Sequence, residues 1–175
     1  MDETMIDLSG KRALVTGGSR GIGAAIALAL AENGADVAFT YANSPDRAEG
    51  VRGAIAVKGR RAFAIKADSA DPKAIERSVA EAVTALGGMD ILVNSAAVGF
   101  NGLIADLDVD AYQAMMDINV RAPVLFSKAA IPHLTSGGRI IFIGSSLGDR
   151  VPFPGVTAYA LSLIHISEPT RRTPI

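Results

Sequence analysis

The sequence predicts an α/β fold, a doubly wound parallel sheet with helices on both faces. Three observations point to it. Short apolar runs alternate with helix-length runs through five strands. The strand runs carry apolar side chains at successive positions, as strands covered on both faces do. Glycines gather at 17, 18, 21 and 23, between the first strand and the first helix.

Each element has its own signal. Arg12–Thr16 reads as a short buried strand, and Ile22–Glu32 as an Ala-rich helix stopped by Asn33-Gly34. Asp36–Tyr41 is the second strand. Ser44-Pro45 supplies an N-cap and a first-turn proline for a helix reaching Lys58. Arg61–Lys66 is the third strand, and Asp71-Pro72 opens a helix that ends at Leu86. Met89–Asn94 is an apolar fourth strand. Two helical stretches, Asp108–Met116 and Asp117–Leu134, lead to a turn at Ser136-Gly137-Gly138 and a fifth strand over Arg139–Ile143. Right-handed crossovers between such units build a Rossmann sheet of the dinucleotide-binding type, here truncated after the fifth strand and the start of the next helix.

Composition narrows the function classes. A chain of 175 residues is expected to form one domain with a core of its own. It has no cysteine, so disulfides and thiolate metal sites are excluded, which suits a reducing cytoplasm. A net charge of -1 points to no nucleic-acid or membrane partner. Met1-Asp2-Glu3-Thr4 is acidic, unlike a secretory leader, and Ala24–Ala31 is too short to cross a bilayer.

The glycine turn carries the first chemistry. In Thr16-Gly17-Gly18-Ser19-Arg20-Gly21-Ile22-Gly23 the glycines let the backbone approach a pyrophosphate, which the amides and dipole of a helix N-terminus bind. The spacing is Gly-x3-Gly-x-Gly, not the commoner G-x-G-x-x-G. Further motifs follow in order: Asn94-Ser95-Ala96-Ala97 after the fourth strand, Asn119 within Asp-Ile-Asn-Val-Arg-Ala-Pro, Ser145 after the fifth strand, and Tyr159 beyond it. Together they resemble the short-chain dehydrogenase/reductase superfamily over residues 8 to about 160, and 3-oxoacyl reductase-like members within it. Ala97 stands where the family usually has glycine.

The resemblance implies a nicotinamide cofactor in contact with Gly17, Ser19, Arg20, Gly21, Ile22, Gly23 and Ala96, with Asp68 at the adenine edge and Asn94 on the adenine ribose side. An acidic residue closing the second strand would select NAD. This sequence has Tyr41 there, then Ala42-Asn43-Ser44. With Arg20 in the glycine turn, Tyr41, Asn43 and Ser44 resemble members that prefer NADP(H) over NAD(H). Ser44 also fits a plain N-cap, and Asp68 a strand-end loop carboxylate.

The implied reaction is hydride transfer between the nicotinamide and a carbonyl or secondary-alcohol carbon of a small molecule. Tyr159 would be the acid/base, Ser145 would hold the substrate oxygen (Ser146 is the second candidate), and Asn119 would bind a water leading toward a lysine. A free phenol titrates near pH ~10, and the family lowers this with a lysine four residues on, where this chain has Leu163. This chain is therefore expected to be a cofactor-binding fragment with little or no turnover, its parent an active homodimer or homotetramer. Leu161–Arg171 resembles the translation of a transposase sequencing-library adapter, so the domain is expected over 1–160 and a non-native tail over 161–175. His165 and Glu168 are accordingly not read as ligands, and no metal is expected.

Overall fold

The computed structural model describes residues 6–164. A parallel five-stranded sheet forms its centre: β1 (Arg12–Val15), β2 (Asp36–Tyr41), β3 (Ala62–Lys66), β4 (Met89–Asn94) and β5 (Leu134–Phe142), in the order β3-β2-β1-β4-β5. The chain starts in the middle, winds outward through β2 and β3, then returns to the other side of β1 for β4 and β5. The reversal lies between β1 and β4, where open α/β sheets bind ligands beyond their strand C-termini.

The helices are α1 (Gly21–Glu32), α2 (Pro45–Val57), α3 (Pro72–Leu86), α4 (Val109–Met116), α5 (Ala122–Ala130) and the short α6 (Thr157–Leu161). Strand alternation divides the core in two. On one face Leu14, Ala38, Ile65 and Leu92 pack with Ile75, Val79 and Phe126 of α3 and α5. On the other, Ala13, Val15, Val37, Phe39 and Val93 pack with Ala27 and Ile55 of α1 and α2.

Two ion-pair networks tie the ends of the sheet opposite the site. Asp90 accepts from Arg12 (Nε 2.8 Å, backbone N 3.0 Å) and from Thr135 Oγ1 at 2.6 Å, so one carboxylate joins β1, β4 and β5. The Arg12 hydrogen bond outweighs burial and holds the Asp90 carboxyl down at about 2. Burial alone would raise Asp36, but bonds from the Arg61 backbone and side chain and from Arg60 hold it below the usual carboxylate range.

The expected elements are found, with differences around the fifth strand. The helix expected to reach Leu134 is α5 to Ala130, followed by a 3-10 turn over Ile131–His133. Ser136-Gly137-Gly138 lies within β5 as a bulge: Met89 faces Leu134, but Ile91 faces Arg139. Gly137 is at φ +84°, a conformation glycine supplies without strain. β5 is not covered on both faces, since the apolar Ile141 and Phe142 are exposed and β5 pairs only with β4 among the described strands. The junction of the two helical stretches is a π-helical turn over Asp117–Arg121. Pro123 explains it, because the carbonyl of Asn119 has no amide donor four residues on.

Candidate nucleotide-binding and catalytic site

The C-terminal ends of β1, β2 and β4 open on a cavity of about 980 Å³. Its floor is the glycine turn. Gly17 has φ +68°, and a Cβ there would lie 2.9 Å from Ala96 Cα. A Cβ on Gly23 would lie 2.4 Å from the carbonyl oxygen of Gly17, so glycine permits the close packing of α1 on the turn. Gly21, at φ +55°, faces open space. Threonines set the turn's height: Gly17 N donates to Thr40 Oγ1 at 3.1 Å, and Thr16 Oγ1 accepts from Ser95 N and Ala96 N at 3.0 and 2.9 Å. Thr40 had no signal of its own in the sequence beyond its place in a strand.

The N-terminus of α1 is prepared for an anion. Arg20 is its N-cap, without a side-chain cap bond, and the first turn has no acidic residue. Among the described residues, no acceptor is bonded to the backbone N–H groups of Gly21, Ile22 and Gly23 in that turn. Gly17, Ser19, Arg20, Gly21, Ile22 and Gly23 all line the cavity. Tyr41, Asn43 and Ser44 form its second wall, and Asp68 and Ala96 also line it. Ser44 is the N-cap of α2, but its hydroxyl makes no cap bond. Asp68 is exposed, and its Oδ1 accepts from Ala70 N at 2.9 Å. Arg47, absent from the sequence-based set, lines the cavity from the first turn of α2.

Asn94 is placed differently from its expected ribose contact. It is 5% exposed, lies outside the cavity lining, and neither its Nδ2 nor its Oδ1 has a partner among the described residues. It shares its side of β4 with Leu92, which faces the α3–α5 core.

The three candidate catalytic residues stand on separate elements beyond the cavity lining. Asn119, in the π-helical turn, is 2% exposed. Its Oδ1 accepts from Val98 N at 2.9 Å, and its Nδ2 donates to Val98 O and Ser162 Oγ, each at 3.0 Å. The amide thus holds the loop after β4, where a water contact was expected. Ser145 N-caps a short 3-10 turn, its Oγ accepting from Leu147 N at 3.2 Å; it is half-buried, while Ser146 is exposed. Tyr159 is half-buried in α6, and no hydrogen bond joins its hydroxyl to either serine among the described residues. The boundary expected after Ala160 falls inside α6, and just past that helix its C-cap Ser162 is fully buried and Leu163 is 2% exposed. His165 and Glu168 lie outside the described residues. Among those described, no cluster of three or more acidic or histidine side chains could hold a metal, and no helix is long and apolar enough to cross a membrane.

Comparison with known proteins agrees with this geometry. The short-chain dehydrogenase/reductase FrzI of a Cladobotryum species is 40% identical over 161 residues, covering 92% of this chain and 62% of that protein. A short chain dehydrogenase from Burkholderia cenocepacia J2315, solved in complex with NADP, superposes with a TM-score of 0.89 at 53% identity, over 91% of this chain and 65% of that one. A blue fluorescent protein from a metagenomic library, solved in complex with NADPH, gives 0.88 at 48% identity, over 91% and 66%. The chain therefore spans somewhat less than two thirds of these relatives. The family model described as short chain dehydrogenase matches residues 11–165, five residues past the expected end of the resemblance. With the glycine turn and its cavity at the head of the sheet, the chain belongs to the short chain dehydrogenase family.

Proposed function

We propose that this chain is the cofactor-binding part of an NADP(H)-dependent oxidoreductase acting between a carbonyl and a secondary alcohol. The carrying observation is the uncapped N-terminus of α1, open to a large cavity beside Arg20 with no carboxylate closing β2. A pyrophosphate suits the glycine turn, and a 2′-phosphate suits Arg20 with Tyr41, Asn43 and Ser44. The relatives solved with NADP and NADPH support the same cofactor.

The nicotinamide, when bound, supplies or accepts the hydride. The chain's part is to place and protonate. Tyr159 Oη gives or takes the proton at the substrate oxygen, Ser145 Oγ donates to that oxygen, and Asn119 keeps the loop at Val98 in place. In this reading the substrate is a small carbonyl or alcohol, and the parent is a cytoplasmic homodimer or homotetramer, testable by size exclusion on the full gene.

A second reading, binding without turnover, rests on Leu163, buried where the family resemblance implies lysine. It goes with residues 161–175 being foreign to the gene, which resequencing the source DNA across codon 161 tests. The cofactor assignment is tested by titrating the chain with NADPH and NADH and following cofactor fluorescence. Tighter NADPH binding is expected; equal or tighter NADH binding overturns the assignment.

A further inference from the structure

One side of the cavity is formed by two elements that meet through a single side chain. Asp68, Ser69 and Ala70 line it from the loop after β3, and Ala114 and Ile118 from α4 and the π-helical turn. The loop closes locally as a β-turn: Asp71 N donates to Asp68 O at 3.1 Å, and Ala70 N to Asp68 Oδ1 at 2.9 Å. These bonds fix the shape of the turn but not its distance from the helical segment. Arg121, the last residue of the π-helical turn, spans that distance. Its Nη2 donates to the Ala70 carbonyl at 3.0 Å and lies 3.3 Å from Asp117 Oδ2. Asp117 is itself held by Gln113 Nε2 at 3.0 Å, one helical turn back. Among the described residues no other hydrogen bond joins this loop to α4 or the π-helical turn. Arg121 lies outside the cavity lining.

We propose that Arg121 is a positioning residue, a strut that bridges Asp117 and Ala70 and so holds the Asp68 turn at the width an adenosine needs. This rests on the cavity being the NADP(H) site. The sheet order says which end of the dinucleotide the strut serves. With the pyrophosphate on the glycine turn after β1, the nicotinamide lies toward β4 and β5, where Ser145 and Tyr159 follow. The adenosine then lies toward β2 and β3, where the Asp68 turn stands. A strut contributes to affinity by pre-organisation, because any time the turn spends displaced lowers the apparent affinity by that fraction. NADPH and NADH share the adenine ring, so losing Arg121 weakens both by the same factor. A residue bonded to the 2′-phosphate would weaken NADPH alone.

The test compares the wild-type chain with Arg121→Ala, Arg121→Lys and Arg52→Ala. Each is titrated with NADPH and NADH by cofactor fluorescence, and each cofactor-free chain is followed by hydrogen exchange and thermal melting. Arg52, held by Glu49 on α2 outside the cavity lining, controls for the loss of one positive charge. The Arg121–Asp117 pair is partly exposed and adds little to global stability, so melts matching the wild type are expected. Arg121→Ala is expected to raise both Kd values about three- to ten-fold and to speed exchange at the Ala70 and Asp71 amides. Arg121→Lys keeps a donor and the charge, and should recover most of both effects. Arg52→Ala should bind as the wild type does. The strut is overturned, with the cofactor assignment intact, if Arg121→Ala leaves exchange at Ala70 and Asp71 unchanged, if it weakens NADPH alone, or if Arg52→Ala weakens binding as much. If the wild type binds neither nucleotide, the reading of the cavity falls and the strut's role with it.

Discussion

The side-chain amide of Asn119 donates to the hydroxyl of Ser162 at 3.0 Å, across 43 residues of sequence. Ser162 Oγ in turn donates to the backbone carbonyl of Tyr159 at 2.7 Å. A buried polar chain therefore links the π-helical turn to the helix that carries the candidate acid/base. The same amide grips both backbone groups of Val98.

Truncating each end of this link separates its parts. Asn119→Ala strands the Val98 N–H and C=O, and is expected to cost about 2 kcal/mol in urea unfolding. Hydrogen exchange at Val98 should accelerate. Ser162→Ala leaves both Val98 bonds in place and should cost about 1 kcal/mol. Equal losses from the two variants would contradict a clamp centred on Val98.

The glycine turn makes an opposed pair of predictions. Gly23→Ala sets a Cβ 2.4 Å from a backbone oxygen that cannot swing away. It should lower stability by about 1–3 kcal/mol and weaken NADPH binding by at least about ten-fold. Gly50→Ala meets nothing within 4 Å on α2. It should raise stability by about 0.5–1 kcal/mol and leave binding alone. Thermal melts and a cofactor titration of both variants check this.

Asp90 predicts an acid-sensitive increment of stability. Its carboxyl sits at about 2 in the folded chain against an ordinary 3.8. The folded state thus favours the charged form, and the contribution is complete above about pH 4 and lost as pH falls toward 2. Its size is about 2 kcal/mol. The stability gap between wild type and Asp90→Asn, measured by urea unfolding at stepped pH, should narrow over that interval. A gap that stays constant down to pH ~2 would show that the charge is not what Arg12 and Thr135 recognise.

Leu163 offers a gain-of-function test. Leu163→Lys places an amine near Tyr159 at a position only 2% exposed. Burying it should lower the melting temperature. Ketone reduction with NADPH should rise at least about 100-fold, the scale of assisted proton transfer. The pH profile should gain a limb assignable to a lowered phenol, which a change in packing alone would not produce. Unchanged turnover would place the missing function elsewhere.

Much of this protein is written locally. β2 and β4 end where the apolar runs end, Asp71 caps α3 by accepting from Lys73 N, and the glycine turn lines the cavity as its spacing implies. Such features depend on neighbours a few residues apart, so composition and periodicity carry them. What lay beyond reach depends on groups far apart in sequence. The strand parity that buries Asn94 matters only because α3 and α5 cover that side of β4. Arg47 reads as one more charged residue on an exposed helix until the sheet order brings α2 beside the glycine turn. Ser162 reads as a residue of the tail until Asn119 meets it in the interior. The sequence by itself determined the order of strands and helices and the place of the glycine turn. Tertiary packing decided which polar side chains reach the cavity and which are spent inside, because burial and hydrogen-bond pairing are properties of the assembled core, not of any one segment.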